Sequence, residues 1–356
     1  MAMNRRIELS AVVVGLALAF QAPAFAKAPK TPAPAPQPKE VKTPSHYLAE
    51  GWNHYYYVPF LNQLGDIPTI PSASAEEQAR CDRFYSKVRS TGQMKIVMGI
   101  GYYDFSEGEP FGFDYREDGS FAIKHHDFGM NATIDITYDI MYREILTRRC
   151  SGSLQLCGFT EVARGVYSKT VTDPRGQKIQ ATVEIKDSSV TPEHSQNIGV
   201  LAAQQQAKSD ATTQWFFDSV KSADLVIYNG HSRKGGGPDF HPPKLLQNLH
   251  VNYSWYGKNT PGLKRLLTAL SSAPTKPAAL LMMSCNSANL FEKPIRKAAP
   301  QMSVAGTNAV IPGNIPNKGA IAGMDAFLKF QCQEGFNKQM RLDPDMNEQI
   351  KAPVIY

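Results

Sequence analysis

The stretch VIYNGHSRKGGGPDF, residues 226–240, carries an apolar run into a histidine, a serine and three consecutive glycines. With the residues just before it the run reads DLVIYNG, apolar without polar alternation, as expected of a strand buried on both faces. The same texture returns in PAALLMMSC (277–285) and MSVAGTNAVI (302–311). Amphipathic stretches lie around these runs: AAQQQAKSDATTQWFFDSVKSA (202–223), PGLKRLLTALSSA (261–273), SANLFEKPIRKAA (287–299, expected to break near Pro294) and KGAIAGMDAFLKFQCQEGF (318–336). Apolar runs alternating with helices specify an α/β domain with a mostly parallel sheet, assigned to residues 191–340.

Upstream the pattern changes. Between about Met94 and Val190, segments such as MKIVMGIGYYDF, SFAIKHHDF, ATIDITYDIMYREIL, GVYSKTVTD and KIQATVEIKD are β-branched and aromatic, with turn residues between them. They predict an antiparallel sheet or small sandwich. The helical pattern SAEEQARCDRFYSKV, with Ser72 or Ser74 as N-cap, joins them in a β-rich N-terminal domain over residues 45–190. Residues 341–356 are expected to be a tail. No internal repeat is present.

The chain opens with Arg5 and Arg6, an apolar run from Ala11 to Phe20, and Ala24-Phe25-Ala26. That order is the pattern of a signal peptide, residues 1–26, cleaved after Ala26. A Pro/Ala/Lys-rich tether, residues 27–44, follows and has little to bury. No later run is apolar enough to span a bilayer, so the expectation is an exported protein, periplasmic or secreted, with no membrane span after signal removal. The whole chain has 38 Lys+Arg against 32 Asp+Glu, a formal net charge of +6. That excess is dispersed, which argues against a nucleic-acid partner.

Reactive groups in a parallel sheet gather at the carboxyl ends of its strands. Here one run delivers His231 and another delivers Cys285, 54 positions later. A cysteine nucleophile needs a neighbouring imidazole to take its proton and return it to the leaving group, and the pair supplies both parts. The backbone N–H groups of Ser232 and Cys285 are candidates for the oxyanion hole. Gly235, Gly236 and Gly237 suit a substrate loop, and Asp239 can orient His231, bind a basic side chain or cap a turn. The competing serine reading requires Gly-x-Ser-x-Gly, whereas Ser232 stands in Gly-His-Ser-Arg-Lys. The five cysteines leave one over in an oxidising compartment. Cys150 and Cys157 can close a short loop, and Cys81 and Cys332 can pair or stay reduced. If both pairs form, Cys285 is the odd thiol.

VIYNGHSRKGGG followed by ALLMMSCNSANLF and SVAGTNAV resembles the caspase–gingipain–legumain superfamily of cysteine peptidases, most closely its gingipain branch, over roughly residues 195–335. The resemblance implies a caspase-like α/β sandwich, a His231/Cys285 dyad and a protein or peptide substrate. It further implies no metal or other cofactor, and a preference for Arg, Lys, Asp or Asn before the cleaved bond. The family usually has Gly after its histidine, where this chain has Ser232. The alternative of another class is a non-catalytic envelope binding protein on the same scaffold. Weaker signals have plainer readings. His125-His126 is expected to be a surface pair, 343–349 lacks the glycine of a calcium loop, and Trp52 with Tyr55–Tyr57 is expected to pack in the core although a peptide or sugar can stack there.

Overall fold

Five strands form the parallel centre of one sheet: β1 (Gln93–Ile100), β6 (Lys178–Lys186), β7 (Leu225–Asn229), β8 (Ala279–Met283) and β9 (Ser303–Thr307), in the order β6-β1-β7-β8-β9. β5 (Val166–Thr172) and β4 (Thr160–Ala163) extend one edge antiparallel, and β10 (Ile350–Lys351) closes the other. A separate ribbon pairs β2 (Pro110–Tyr115) with β3 (Lys124–Met130). The structure, a computed structural model, describes residues 41–105 and 107–356. The expected signal peptide and most of the tether lie outside the described residues.

Every residue of β7, β8 and β9 is buried, as their unbroken apolar runs require. Alternate side chains feed two cores. Leu225, Ile227, Leu281 and Met283 face helices that include Asp135–Thr147 and Asn314–Leu328. Val226, Tyr228, Leu280 and Met282 face Ala202–Ser219, Pro261–Ser272 and Ser287–Ala298. The result is a three-layer helix–sheet–helix arrangement. Gly99 of β1 permits the second layer to come close: a Cβ there would stand 2.6 Å from the Phe216 ring and 2.8 Å from Phe240.

The expected boundary between residues 190 and 191 falls inside this sheet. β1 and β6, assigned to the β-rich domain, pair directly with each other, and β1 pairs with β7, so Lys42–Tyr356 is one compact unit. ATIDITYDIMYREIL, read as a strand, contains the helix Asp135–Thr147 instead. Ile134, Tyr138, Met141, Tyr142 and Ile145 recur at helical spacing, and burying that stripe against the sheet overrides their β-propensity. Residues 341–356 are not a loose tail: they form the helix Pro344–Gln349 and β10, and they bury Ile350, Ala352 and Ile355. The helix Ser287–Ala298 runs on through Pro294, and the stretch 318–336 divides between Asn314–Leu328 and Gln333–Met340. Ser74 is the N-cap that the sequence offered, accepting from the Glu77 N–H at 3.1 Å. The Cys81–Cys332 and Cys150–Cys157 disulfides both form, and Cys285 is the free thiol. No helix among the described residues is long and apolar enough to cross a membrane.

Candidate functional site

The sheet reverses its winding at β1 and β7. The chain leaves β1 towards β6 on one side, and β7 towards β8 on the other. A crevice opens at the carboxyl ends of strands at such a switch point. Asn229 of β7 is in register with Met283 of β8. His231 and Cys285 each stand two residues beyond that pair, so neighbouring strands deliver them side by side. Both line one cavity of about 390 Å³.

Each turn is pinned from below. In the Cys285 turn, Thr307 Oγ1 donates to the Ser284 carbonyl at 2.6 Å, and the Asn286 N–H donates to the Ala309 carbonyl at 2.7 Å. Ser287 Oγ donates to the Met282 carbonyl and accepts from the Thr307 N–H. Cys285 is half-buried, with its Sγ 3.8 Å from the Ile311 carbonyl oxygen. Under His231, the buried Asn229 amide donates to Asn317 Oδ1 at 2.7 Å and to the Tyr142 hydroxyl at 3.3 Å. The site therefore rests on groups that have little freedom to move.

The loop after β1 supplies the other wall. His231 Nε2 lies 2.5 Å from the Asp104 carbonyl oxygen, and the Tyr103 ring leans on the imidazole with centroids 4.8 Å apart. A carbonyl oxygen only accepts, so Nε2 carries the hydrogen and Nδ1 of the neutral ring holds the lone pair. Below the histidine, Arg233 and Asp104 form an ion pair with both side chains fully buried. Arg233 also donates to the Tyr102 carbonyl at 3.2 Å and faces Asp239 at 3.5 Å. Burial and the Arg233 charge push the His231 imidazole down to about 4, against the opposing pull of Asp104. His231 is thus a neutral acceptor throughout the physiological range.

Ser232 is buried and is not among the residues lining the cavity. Neither its N–H nor that of Cys285 donates a hydrogen bond among the described residues. Asp239 takes the role of binding a basic side chain, Arg233, and burial raises its carboxyl despite that charge. The glycines do not line this cavity either. A Cβ on Gly236 would meet the Tyr256 ring at 2.6 Å, and one on Gly237 would meet the His231 carbonyl at 2.8 Å. Gly236 and Gly237 are small because the loop packs inward, whereas a Cβ on Gly235 would meet only Leu290, at 3.7 Å, and that position is set by its positive φ of +89°. Gly262 seats that loop: its Cβ would stand 2.0 Å from the Pro238 carbonyl oxygen. Gly262→Ala is therefore expected to destabilise the protein by about 3 kcal/mol, read as a lowered midpoint in urea unfolding.

No family model, curated protein or solved structure matches the chain.

Several lining residues escaped the sequence reading: Tyr103, Asp104, Phe105 and Phe111. For Tyr103, Asp104 and Phe105 the signal is Gly101, which follows the end of β1 at Ile100 within the stretch MKIVMGIGYYDF. Trp52, Tyr56 and Tyr57, expected in the core, also reach this cavity. A π-helical turn, Asn53–Tyr57, brings the tyrosines there, a distortion that recurs at functional sites. His125 lies exposed on β3 and pairs with Asp114 at 2.8 Å. No cluster of three or more His, Cys, Asp or Glu suited to a metal occurs among the described residues.

Proposed function

We propose that this protein is an exported cysteine peptidase that cleaves peptide bonds through an acyl-enzyme. The observation that carries the reading is that His231 and Cys285, each two residues past a register pair of adjacent parallel strands, line one cavity at the sheet's switch point. The resemblance of VIYNGHSRKGGG and ALLMMSC to the caspase–gingipain–legumain superfamily supports the same assignment of roles.

In the first step the Cys285 thiol gives its proton to His231 Nδ1 while Sγ bonds to the substrate carbonyl carbon. The oxyanion that forms can be met by the N–H groups of Ser232 and Cys285. Collapse breaks the C–N bond, and His231 returns the proton to the leaving amine. Water then attacks the thioester, with its proton passing through the same nitrogen, and the thiol is regenerated. Because His231 stays neutral down to about pH 4, it is ready to accept a proton at neutral pH, and the pair transfers that proton during attack. Two disulfides beside a free thiol suit an oxidising compartment, periplasmic or extracellular.

The test is hydrolysis of fluorescein-labelled denatured casein by the mature protein, beside Cys285→Ala and His231→Ala. The expected result is cleavage by the native protein and its loss in both variants, with melting curves that confirm folding. Casein left intact by a native protein whose Cys285 still alkylates would sink the reading.

A further inference from the structure

We propose that the subsite beside the dyad accepts a large aromatic side chain, Phe, Tyr or Trp, from the residue that precedes the cleaved bond. This rests on the peptidase reading and departs from what the superfamily resemblance implies, a preference for Arg, Lys, Asp or Asn.

The charges decide it. Apart from His231, the one ionisable acid or base of the Asp, Glu, Lys, Arg or His type that lines the cavity among the described residues is Asp104. Its carboxylate is fully buried and already paired with Arg233, so it has no charge to offer an incoming base. No lysine or arginine lines the cavity to receive an acid. A guanidinium, ammonium or carboxylate placed there would give up its water and meet no opposite charge, which is strongly unfavourable.

The walls decide the rest. Trp52 packs on Tyr138 with ring centroids 5.2 Å apart, and Phe105 stacks on Phe111 at 4.3 Å. Trp52, Phe105 and Phe111 are only half-buried, so ring faces remain for a guest ring to meet. Gly313 keeps the floor open: a Cβ there would crowd the Tyr138 hydroxyl at 2.8 Å, although its φ of −59° would tolerate any residue. About 390 Å³ is ample for an aromatic ring, whereas a small aliphatic group would leave most of those ring faces in water.

The experiment uses mature protein and peptidyl acyloxymethyl ketones that differ only in the residue beside the ketone: Phe, Trp, Ala, Arg, Lys or Asp. In the labelling step Sγ bonds to the methylene carbon, the acyloxy group leaves as a carboxylate, and the thiol proton goes to His231. Intact-mass spectrometry follows the adduct on Cys285. Phe and Trp probes are expected to label at least about 100-fold faster than Arg, Lys and Asp probes, and several-fold faster than Ala. Phe111→Glu, which adds an acid to the wall, is expected to shift the preference at least about 10-fold towards Arg. An Arg, Lys or Asp probe that matches or outpaces Phe in the native protein overturns the aromatic subsite while leaving the peptidase standing. Failure of every probe, with Cys285 still open to iodoacetamide, overturns both.

Discussion

Replacing Arg233 with methionine is expected to destabilise the protein by about 3–5 kcal/mol and to raise the pH at which His231 takes up a proton. The first effect follows from burial. Arg233 and Asp104 side chains are both fully inaccessible, so removing the cation leaves a carboxylate without its partner in the interior. Asp239, which also faces Arg233, suffers less because burial already raises its carboxyl towards the neutral form. The second effect has a definite sign. Arg233 holds the imidazole down and Asp104 pulls it up, so without Arg233 the His231 value climbs from about 4. A protonated His231 is no base. On the peptidase reading, the acid limb of casein hydrolysis therefore moves to higher pH in the variant. Asp104→Asn is expected to cost similar stability but to move that limb to lower pH.

Stability against pH offers a check that needs no substrate. Unfolded histidine protonates near 6.5 and folded His231 only near 4, so the unfolded state binds more protons between those values. At this group, falling pH in that window therefore destabilises the native protein. The buried Asp135 and Asp139 carboxyls, raised by desolvation, pull the other way, so the His231 contribution is read as the difference between the native protein and Arg233→Met. With the His231 value raised in Arg233→Met, the window narrows and the slope weakens. The double variant Asp104→Asn/Arg233→Met removes both charges and is expected to regain most of the lost stability, since a buried ion pair adds little over well-packed neutral groups. Urea titrations of the four proteins at several pH values form a double-mutant cycle. A double variant as unstable as the sum of the singles would show that the pair matters through packing, and would remove the electrostatic account of His231.

What could be read from the chain, and what could not, divides by sequence range. β7, β8 and β9 announce themselves because burial on both faces leaves no room for polar alternation. Their register then carries His231 and Cys285 together, so the two halves of the site were visible 54 residues apart. The electrostatic partner of His231 was not. Asp104 reaches it across 127 positions, and no local pattern marks a loop that closes over a neighbouring strand. The split into two domains failed for a related reason. β1 is apolar like β7, but it stands among alternating β-rich segments, and only the pairing β6-β1-β7 reveals it as the centre of the sheet. The helix Asp135–Thr147 shows the limit of propensity: Ile, Thr and Tyr favour strands until a helical stripe of them finds an apolar sheet to cover. The aromatic run Tyr55–Tyr57 was ambiguous in itself, since aromatic side chains serve a core or a guest equally well, and the fold places Tyr56 and Tyr57 at the cavity.

Removing the Cys81–Cys332 bridge is expected to cost about 5 kcal/mol, roughly twice the loss from removing Cys150–Cys157. The bridges close chain segments of very different length, with sequence separations of 251 and 7. In the chain-entropy account the logarithm of loop length sets the stabilisation, about 5 kcal/mol for the long loop and about 2.5 kcal/mol for the short one at 25 °C. Position reinforces the difference. Cys81 lies on the helix Ala75–Phe84 and Cys332 caps Gln333–Met340, so their bond joins the first helical segments of the sheet's face to the last. Both sulfurs sit in the main core beside Phe84 and Phe336, where truncation to alanine also leaves unfilled space. The comparison should be made in a Cys285→Ala background, because the free thiol could otherwise exchange with either bridge during unfolding. Thermal melts of Cys81→Ala/Cys332→Ala and Cys150→Ala/Cys157→Ala then test it, with a fall on the order of 10 °C for the first pair. Equal losses would mean that restraint of the unfolded chain is not what these bridges contribute. A larger loss for the short loop would instead make the 148–159 turn, which supports β4 and the Asp325–Leu156 contact, the more important anchor of this face.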